Sequence, residues 1–241
     1  MGFKTATVFV TTKEPEYFST NPTYLPEKAE ALIEQLGLGP AVKAQENLWP
    51  YTECMYPPEN QFFLGAYEHG FILSDRGLFE FSEEDNALRK RVLKDYLTAN
   101  LLAIVLHSVV NLYGYDIYEK GKRIRFLTGS SDDGVIHDFG DLQPEEKPIF
   151  DQSSIVNGER IFKLDVNGTL EDFDMSSAGE SLVFAVAKRY LGFELDRFQE
   201  DGEPQMQQFN RVGAKISAKS NQAKSQPSDL LSNVLKFFGP K

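Results

Sequence analysis

A chain of 241 residues with 41% apolar and 25% charged side chains has the composition of one globular protein with a sizeable core, which excludes a disordered chain. Its net charge of −11 argues against nucleic-acid binding by the core, because an acidic surface repels phosphate. The one cysteine, Cys54, excludes an internal disulfide framework. Neither a secretory signal nor an apolar run of roughly 18 residues, the length of a membrane span, is found, so we expect a cytoplasmic protein.

In chain order, the first predicted strand covers residues 3–11, where β-branched and aromatic residues dominate. Pro26 then opens a predicted helix, whose apolar residues recur at helical spacing as far as Gly37, a typical C-cap. Residues 51–81 are expected to form an antiparallel meander. Its short strands are predicted at 52–56, 61–67, 70–75 and 77–81.

The middle of the chain predicts one helix and a set of core strands. Residues 83–97 begin with acidic residues and carry an apolar face, as a helix does. Residues 104–119 and 123–128 are predicted to be core strands of one antiparallel sheet, and a further hairpin turns at Asn167-Gly168. Because strands outnumber helices and mostly follow one another, the predicted fold class is α+β.

The last predicted core helix starts at a capping box made by Ser177 and Glu180 and ends at Gly192. No linker interrupts the pattern before this point. Residues 1–202 are therefore expected to form a single α+β domain with a mainly antiparallel sheet and a few packed helices.

The C-terminal tail has a different composition from this domain. Residues 203–227 are rich in Gln, Ser, Lys and Asn and are predicted to be a flexible linker. Residues 228–239 carry the signals of a short amphipathic docking helix. Its candidate partner-binding residues are Leu230, Leu231, Val234, Leu235, Phe237 and Phe238. Residues 1–202 carry a net charge of −15 and residues 203–241 a net charge of +4, so the tail suits an acidic partner or the body itself.

Several segments resemble an uncharacterised bacterial family that is described only as a domain of unknown function. The resemblance rests on MGFKT at the start and on the segments 56–75, 107–125, 130–141 and 184–196. It implies a bacterial, cytoplasmic protein and carries no activity, cofactor or fold. Where members of that family usually read SPDDGVIEDIG, this chain has His137 in place of the acid.

The densest polar segment, 130–141, contains the candidate catalytic residues Asp132, Asp133, His137 and Asp138. Carboxylates followed by an imidazole can bind a divalent metal ion or share acid–base work. The same residues also suit a structural turn, because Asp-Gly favours turns and Asp side chains bond to loop backbone. The family's acid at position 137 argues against an essential imidazole, which leaves the three aspartates as the better candidates.

Known cofactor and metal motifs are not found in the sequence. The glycines at 37 and 39 lack the third glycine of a dinucleotide loop, and no phosphate-binding Walker sequence occurs. Cys54, His69, His107 and His137 are too scattered for a zinc site. The cofactor therefore stays unknown at this point.

The sequence favours a non-catalytic binding or regulatory protein that engages a protein partner, or a second copy of itself, through the tail helix. The alternative is a metal-assisted hydrolase or lyase that uses Asp132, Asp133 and Asp138. An enzyme would gather these carboxylates in one concave pocket, whereas a binding module would present an apolar patch or groove.

Overall fold

The computed structural model describes residues 3–166, 168–196 and 202–213, and within them strands predominate. The strands are β1 (Lys4–Thr11), β2 (Ala41–Pro50), β3 (Gln61–Tyr67), β4 (Gly70–Ser74), β5 (Asn100–His107), β6 (Leu112–Glu119), β7 (Lys122–Ser130), β8 (Gly134–Gly140), β9 (Ser153–Val156), β10 (Glu159–Val166), β11 (Thr169–Phe173) and β12 (Gln205–Arg211). The α-helices are α1 (Pro26–Leu36), α2 (Tyr51–Cys54), α3 (Ala87–Asp95), α4 (Lys147–Phe150) and α5 (Met175–Leu191), and there are 3-10 helices at Pro15–Thr20 and Arg76–Glu80.

Nine of these described strands form one sheet, in the order β2-β12-β3-β4-β1-β5-β6-β7-β8. Each neighbouring pair in it is antiparallel. The other three strands form a small antiparallel sheet in the order β11-β10-β9. The predicted α+β class with a mainly antiparallel sheet is therefore confirmed.

Strand β1 shows how the sequence builds a core on both faces of the large sheet. Side chains alternate along a strand, and here both sets are buried. Phe9 packs into the cluster covered by α5 and by the 3-10 helix Pro15–Thr20, which we call the α5 face. Val8 and Val10 pack into the cluster covered by α1, α3 and the 3-10 helix Arg76–Glu80, which we call the α1 face. The sheet is thus the middle layer of three.

The two longest described helices confirm their sequence signals. Helix α1 begins at Pro26, and Gly37 ends it in the left-handed conformation with φ of 63°. Helix α5 ends at Gly192 as predicted, but its N-cap is Asp174 instead of Ser177. The Asp174 carboxylate accepts a hydrogen bond from the Ser177 backbone N–H at 2.7 Å, so the helix starts about one turn earlier.

Three predicted strand segments are wrong. Residues 52–56 lie largely in helix α2, and residues 77–81 lie largely in a 3-10 helix that Asp75 caps by accepting from the Gly77 N–H at 2.8 Å. The predicted strand 104–119 is two strands, because a turn ending at Asn111, with φ of 45°, separates β5 from β6. In each case local capping or turn chemistry prevails over β propensity.

The prediction of a linker from residue 203 is also wrong in its first part, because residues 205–211 form strand β12 between β2 and β3. Met206 and Phe209 of this strand are buried in the core. The rest of the predicted linker and the predicted helix at 228–239 lie outside the described residues. No helix in the described ranges is both long and apolar enough to cross a membrane.

Candidate functional site

The segment with the candidate catalytic residues forms the β7–β8 hairpin at one edge of the large sheet. The tight turn occupies only the first part of the segment, and residues from Gly134 onward continue as β8. Asp133 closes the turn, because its carboxylate accepts a hydrogen bond from the Ser130 hydroxyl at 2.9 Å and its N–H donates to the same hydroxyl oxygen at 3.1 Å. Asp132 lies exposed in this turn.

His137 lies on the α1 face of the hairpin. Its Nδ1 is 3.0 Å from the Thr128 hydroxyl, and its ring stacks on Phe126 with centroids 4.7 Å apart. Burial lowers the pKa of His137, and the positive charge of Arg123 lowers it further. The imidazole is therefore held largely neutral at pH 7, in contact with an aromatic ring.

Asp138 follows His137 along the strand and so lies on the opposite, α5 face. Its carboxylate is 2.5 Å from Nη1 of the buried Arg125. The hairpin therefore separates His137 from Asp138 and leaves Asp132 in solvent. Within the described ranges, no group of three or more His, Cys, Asp or Glu side chains is placed to hold a metal ion.

Arg125 is the centre of a buried ion-pair network that the sequence did not indicate. Its guanidinium and the Glu146 carboxylate are both fully buried and 2.9 Å apart. Glu146 also accepts hydrogen bonds from the Tyr115 hydroxyl at 2.5 Å and from the Gln143 N–H at 2.7 Å. This network holds the segment between β8 and α4 against the sheet.

The charges of this network are well satisfied. Burial alone would lower the pKa of Arg125, but the hydrogen bonds to Glu146 and Asp138 outweigh burial and raise it. Burial raises the pKa of Tyr115, and the neighbouring Glu146 charge raises it further. Arg125 thus stays cationic and Tyr115 stays a neutral donor, which is the pattern of a structural ion pair.

A second polar network lies on the α1 face and joins two arginines through one tyrosine. The Tyr118 hydroxyl accepts hydrogen bonds from Nε of Arg123 at 3.0 Å and from Nη2 of Arg89 at 2.9 Å. Nη2 of Arg123 also donates to the buried Asp116 carboxylate at 2.7 Å. Burial raises the pKa of Asp116, and Arg123 offsets only part of that rise.

One sequence signal could have located this network. Asp116 stands inside an aromatic and β-branched run, LYGYDIYE, and a carboxylate buried in such a strand requires a cationic partner. Basic runs such as those at 89–91 and 120–125 are most often solvated charges. Arg123 is instead three-quarters buried at its side chain.

A narrow cleft lies beside this second network. Its lining includes Leu78, Phe79, Ser82, Val105, Gly114 and Thr128. A Cβ added at Gly114 would lie 2.7 Å from Thr128 Cγ2, so only glycine leaves the space open. The cleft volume is about 20 Å³, which holds one water molecule and not a drug-sized ligand. None of the four candidate catalytic residues lines it.

The protonation of the buried His107 can be tested in solution through its effect on stability. It is 6% exposed, and neither ring nitrogen has a hydrogen-bond partner among the described residues. Burial lowers the pKa of His107, and Lys4 and Arg76 lower it further. As the pH falls below about 6.5, this histidine therefore takes up a proton in the unfolded chain before it does so in the folded chain. Its contribution to the free energy of unfolding is fully present above about pH 6.5 and is lost as the pH falls below that value.

We expect urea unfolding at pH 7.5 and pH 5.5 to show this loss in the wild-type chain, by at most about 1.4 kcal/mol per pH unit for each histidine. His107→Leu should reduce the difference between the two pH values. His137→Gln should reduce it as well, because the pKa of His137 is lowered for the same main reason. An equal loss in all three proteins would show that other groups carry the pH dependence.

The chain belongs to a family of unknown function, DUF6928, whose model matches residues 5–210. The resemblance to an uncharacterised family is therefore confirmed, and the matched range extends beyond residue 202 to include most of β12. No curated protein and no solved structure matches the chain.

Proposed function

We propose that this chain is a non-catalytic binding or regulatory protein that engages a protein partner through residues 228–239. The observation that carries the proposal is the separation of the candidate catalytic residues. Asp138 pairs with Arg125 on one face, while His137 contacts Thr128 and Phe126 on the other. Acid–base or metal chemistry needs such groups to converge on one point, and this hairpin spreads them apart.

The cleft beside Arg123 and Asp116 is too small to hold a substrate, which argues against chemistry at this position. A space of about 20 Å³ admits a water molecule, whereas small-molecule sites in proteins usually enclose about 300–1,000 Å³. The polar groups next to it, Arg123 and Asp116, are already paired with each other.

The tail supplies the positive argument. Its apolar residues recur at the spacing of one face of a predicted short helix, and a helix of this length is marginal in water unless it packs against another surface. Residues 214–241 carry five Lys and one Asp, a net charge of +4, which favours an acidic partner. We place this interaction in the bacterial cytoplasm, in keeping with a chain whose one thiol, Cys54, is free and buried.

Capture of partners from a lysate of the native cell by the immobilised full-length chain tests this proposal. Leu231→Asp combined with Leu235→Asp places two charges on the apolar stripe and is expected to lower the recovery of the partner at least about tenfold, roughly the loss of 1.4 kcal/mol of binding. Asn233→Asp is the matched control, since it adds a charge to the polar side of the same segment and should preserve binding.

Equal recovery by the stripe variant and the wild-type chain would contradict the proposal. Loss of the same partner on Asp132→Asn or Asp133→Asn, with the stripe variant unaffected, would move the interaction to the β7–β8 hairpin. Folding of each variant is checked by urea unfolding, which should remain a single cooperative transition.

A further inference from the structure

An open groove lies at the C-terminal end of α1, beside the start of β2. Its lining includes Glu30, Ile33, Glu34, Gly39, Pro40 and Ala41, and its volume is about 430 Å³. We call it the α1 groove. Ile33 and Ala41 are partly buried apolar residues of its wall, while Glu30 and Glu34 are exposed at its rim.

The described chain ends next to this groove. The Val212 N–H donates a hydrogen bond to the carbonyl oxygen of Pro40 at 2.8 Å, which holds the end of β12 against the groove wall. Val42, which follows the groove on β2, and Val212 are 54% and 52% exposed. Two exposed apolar side chains therefore lie near the point where residue 214 begins.

We infer that the apolar stripe of residues 228–238 of the same chain packs into the α1 groove. The 14 residues 214–227 separate the stripe from Gly213, and a flexible connection of that length spans about 20 Å. The predicted helix is about 16 Å long, so it can lie along a groove that starts beside Pro40. A connection this short holds the stripe near the groove at an effective concentration in the millimolar range.

Charge favours the same occupant. The net charge of −11 divides into +4 for residues 214–241 and −15 for residues 1–213. Glu27, Glu30 and Glu34 are exposed on α1, and the lysines at 215, 219 and 224 carry the opposite charge. Among the described residues, Glu30 lies 3.9 Å from Lys43, and Arg91 donates a hydrogen bond to the Leu36 carbonyl beside the groove, so the body neutralises part of this acidic rim. Salt should weaken the attraction, because exposed charges are screened over about 10 Å at 0.1 M.

With the stripe in the α1 groove, the tail would be autoinhibited, because the stripe would not be free to bind a partner. This conclusion rests on the proposed function. A protein partner would have to compete with the α1 groove for the same apolar stripe. The groove would then set the threshold of partner concentration at which the tail is released.

Disulfide trapping in the full-length chain tests the inference. Glu34→Cys combined with Leu231→Cys places one thiol at the groove and one on the stripe, and the native Cys54 is fully buried and does not compete. Mild oxidation of dilute protein is expected to give a cross-linked monomer, formed at least about tenfold faster than in the control pair Glu171→Cys with Leu231→Cys. Glu171 is exposed on β11, in the separate three-stranded sheet. Adding Ile33→Asp to the first pair should slow the cross-link.

Two outcomes would overturn the inference. A cross-linked dimer whose yield rises with protein concentration would assign the groove to the tail of a second copy. A rate equal to that of the control pair would show that the stripe does not occupy the groove. Either result leaves the proposed function standing if the stripe variant still loses its partner, and a cross-linked monomer together with undiminished partner capture would instead remove the proposed function alone.

Discussion

Replacing Glu146 with alanine is expected to lower the free energy of unfolding by about 3–5 kcal/mol. The substitution removes the carboxylate that accepts hydrogen bonds from Nε and Nη2 of Arg125 at 3.0 and 2.9 Å. Arg125 is fully buried, and its raised pKa keeps it charged, so the variant would leave a cation in the core with only the exposed Asp138 and two backbone carbonyls as partners. Tyr115 would lose its acceptor as well.

Urea unfolding measures this loss, and two controls separate burial from charge. Asp138→Ala removes the other ion-pair partner of Arg125, but the Asp138 side chain is 57% exposed, so a change below about 1 kcal/mol is expected. Arg125→Met combined with Glu146→Met removes both buried charges and should recover most of the stability lost in Glu146→Ala. If the free energy of unfolding of Glu146→Ala lies within about 1 kcal/mol of the wild-type value, the buried ion-pair network does not stabilise the fold.

Sequence patterns located the elements whose signals are local. The extent of α1 depends on Pro26, on its apolar spacing and on Gly37, all within one short segment. The hairpin of β10 and β11 likewise pairs Val166 with Thr169, the two residues that flank the dipeptide that predicts it. Local signals of this kind are encoded in neighbouring residues, so one sequence is enough to read them.

Elements that depend on distant partners were missed. Strand β2 is largely exposed and shows no buried alternation, so nothing local marks it as a strand. The glutamines of β12 made that segment resemble a linker, yet they bond to neighbouring strands. Gln207 donates to the Gln45 carbonyl at 2.6 Å, and Gln208 donates to the Gln61 side chain at 2.7 Å. These partners are 162 and 147 residues away in sequence, a separation that composition cannot bridge.

Only the local part of the candidate site was predicted, because the rest of it depends on distant residues. The turn at Asp133 follows from an Asp-Gly pair and was expected. The pairing of Asp138 with Arg125 and the location of Glu146 depend on the register of β7 against β8 and on the path of the chain after Gly140. A shift of one residue in that register would exchange His137 and Asp138 between the two faces of the sheet.

Truncation of the chain before β12 is expected to have the largest effect on stability. A chain that ends at residue 202 loses β12, which pairs with β2 on one side and with β3 on the other. It also loses the buried side chains of Met206 and Phe209, each worth about 1.5–3 kcal/mol of burial, and it detaches β2 from the sheet. Glu203 is removed too, and with it the acceptor for the Thr52 N–H at the start of α2. Together these losses approach the 5–15 kcal/mol that holds an average domain folded.

We therefore expect the chain ending at residue 202 to show no cooperative thermal transition and to bind a hydrophobic dye. The chain ending at Gly213 retains every described element and should melt within a few degrees of the full-length protein, a shift of less than about 1 kcal/mol. A matched third chain, complete in length but carrying Phe209→Asp, places a charge where Phe209 stacks on Phe62 with centroids 5.3 Å apart, and it should resemble the shorter fragment. Cooperative melting of the 202-residue chain at the full-length temperature would show that β12 is dispensable. The stability of the folded unit would then not depend on the pairing of β12 with β2 and β3.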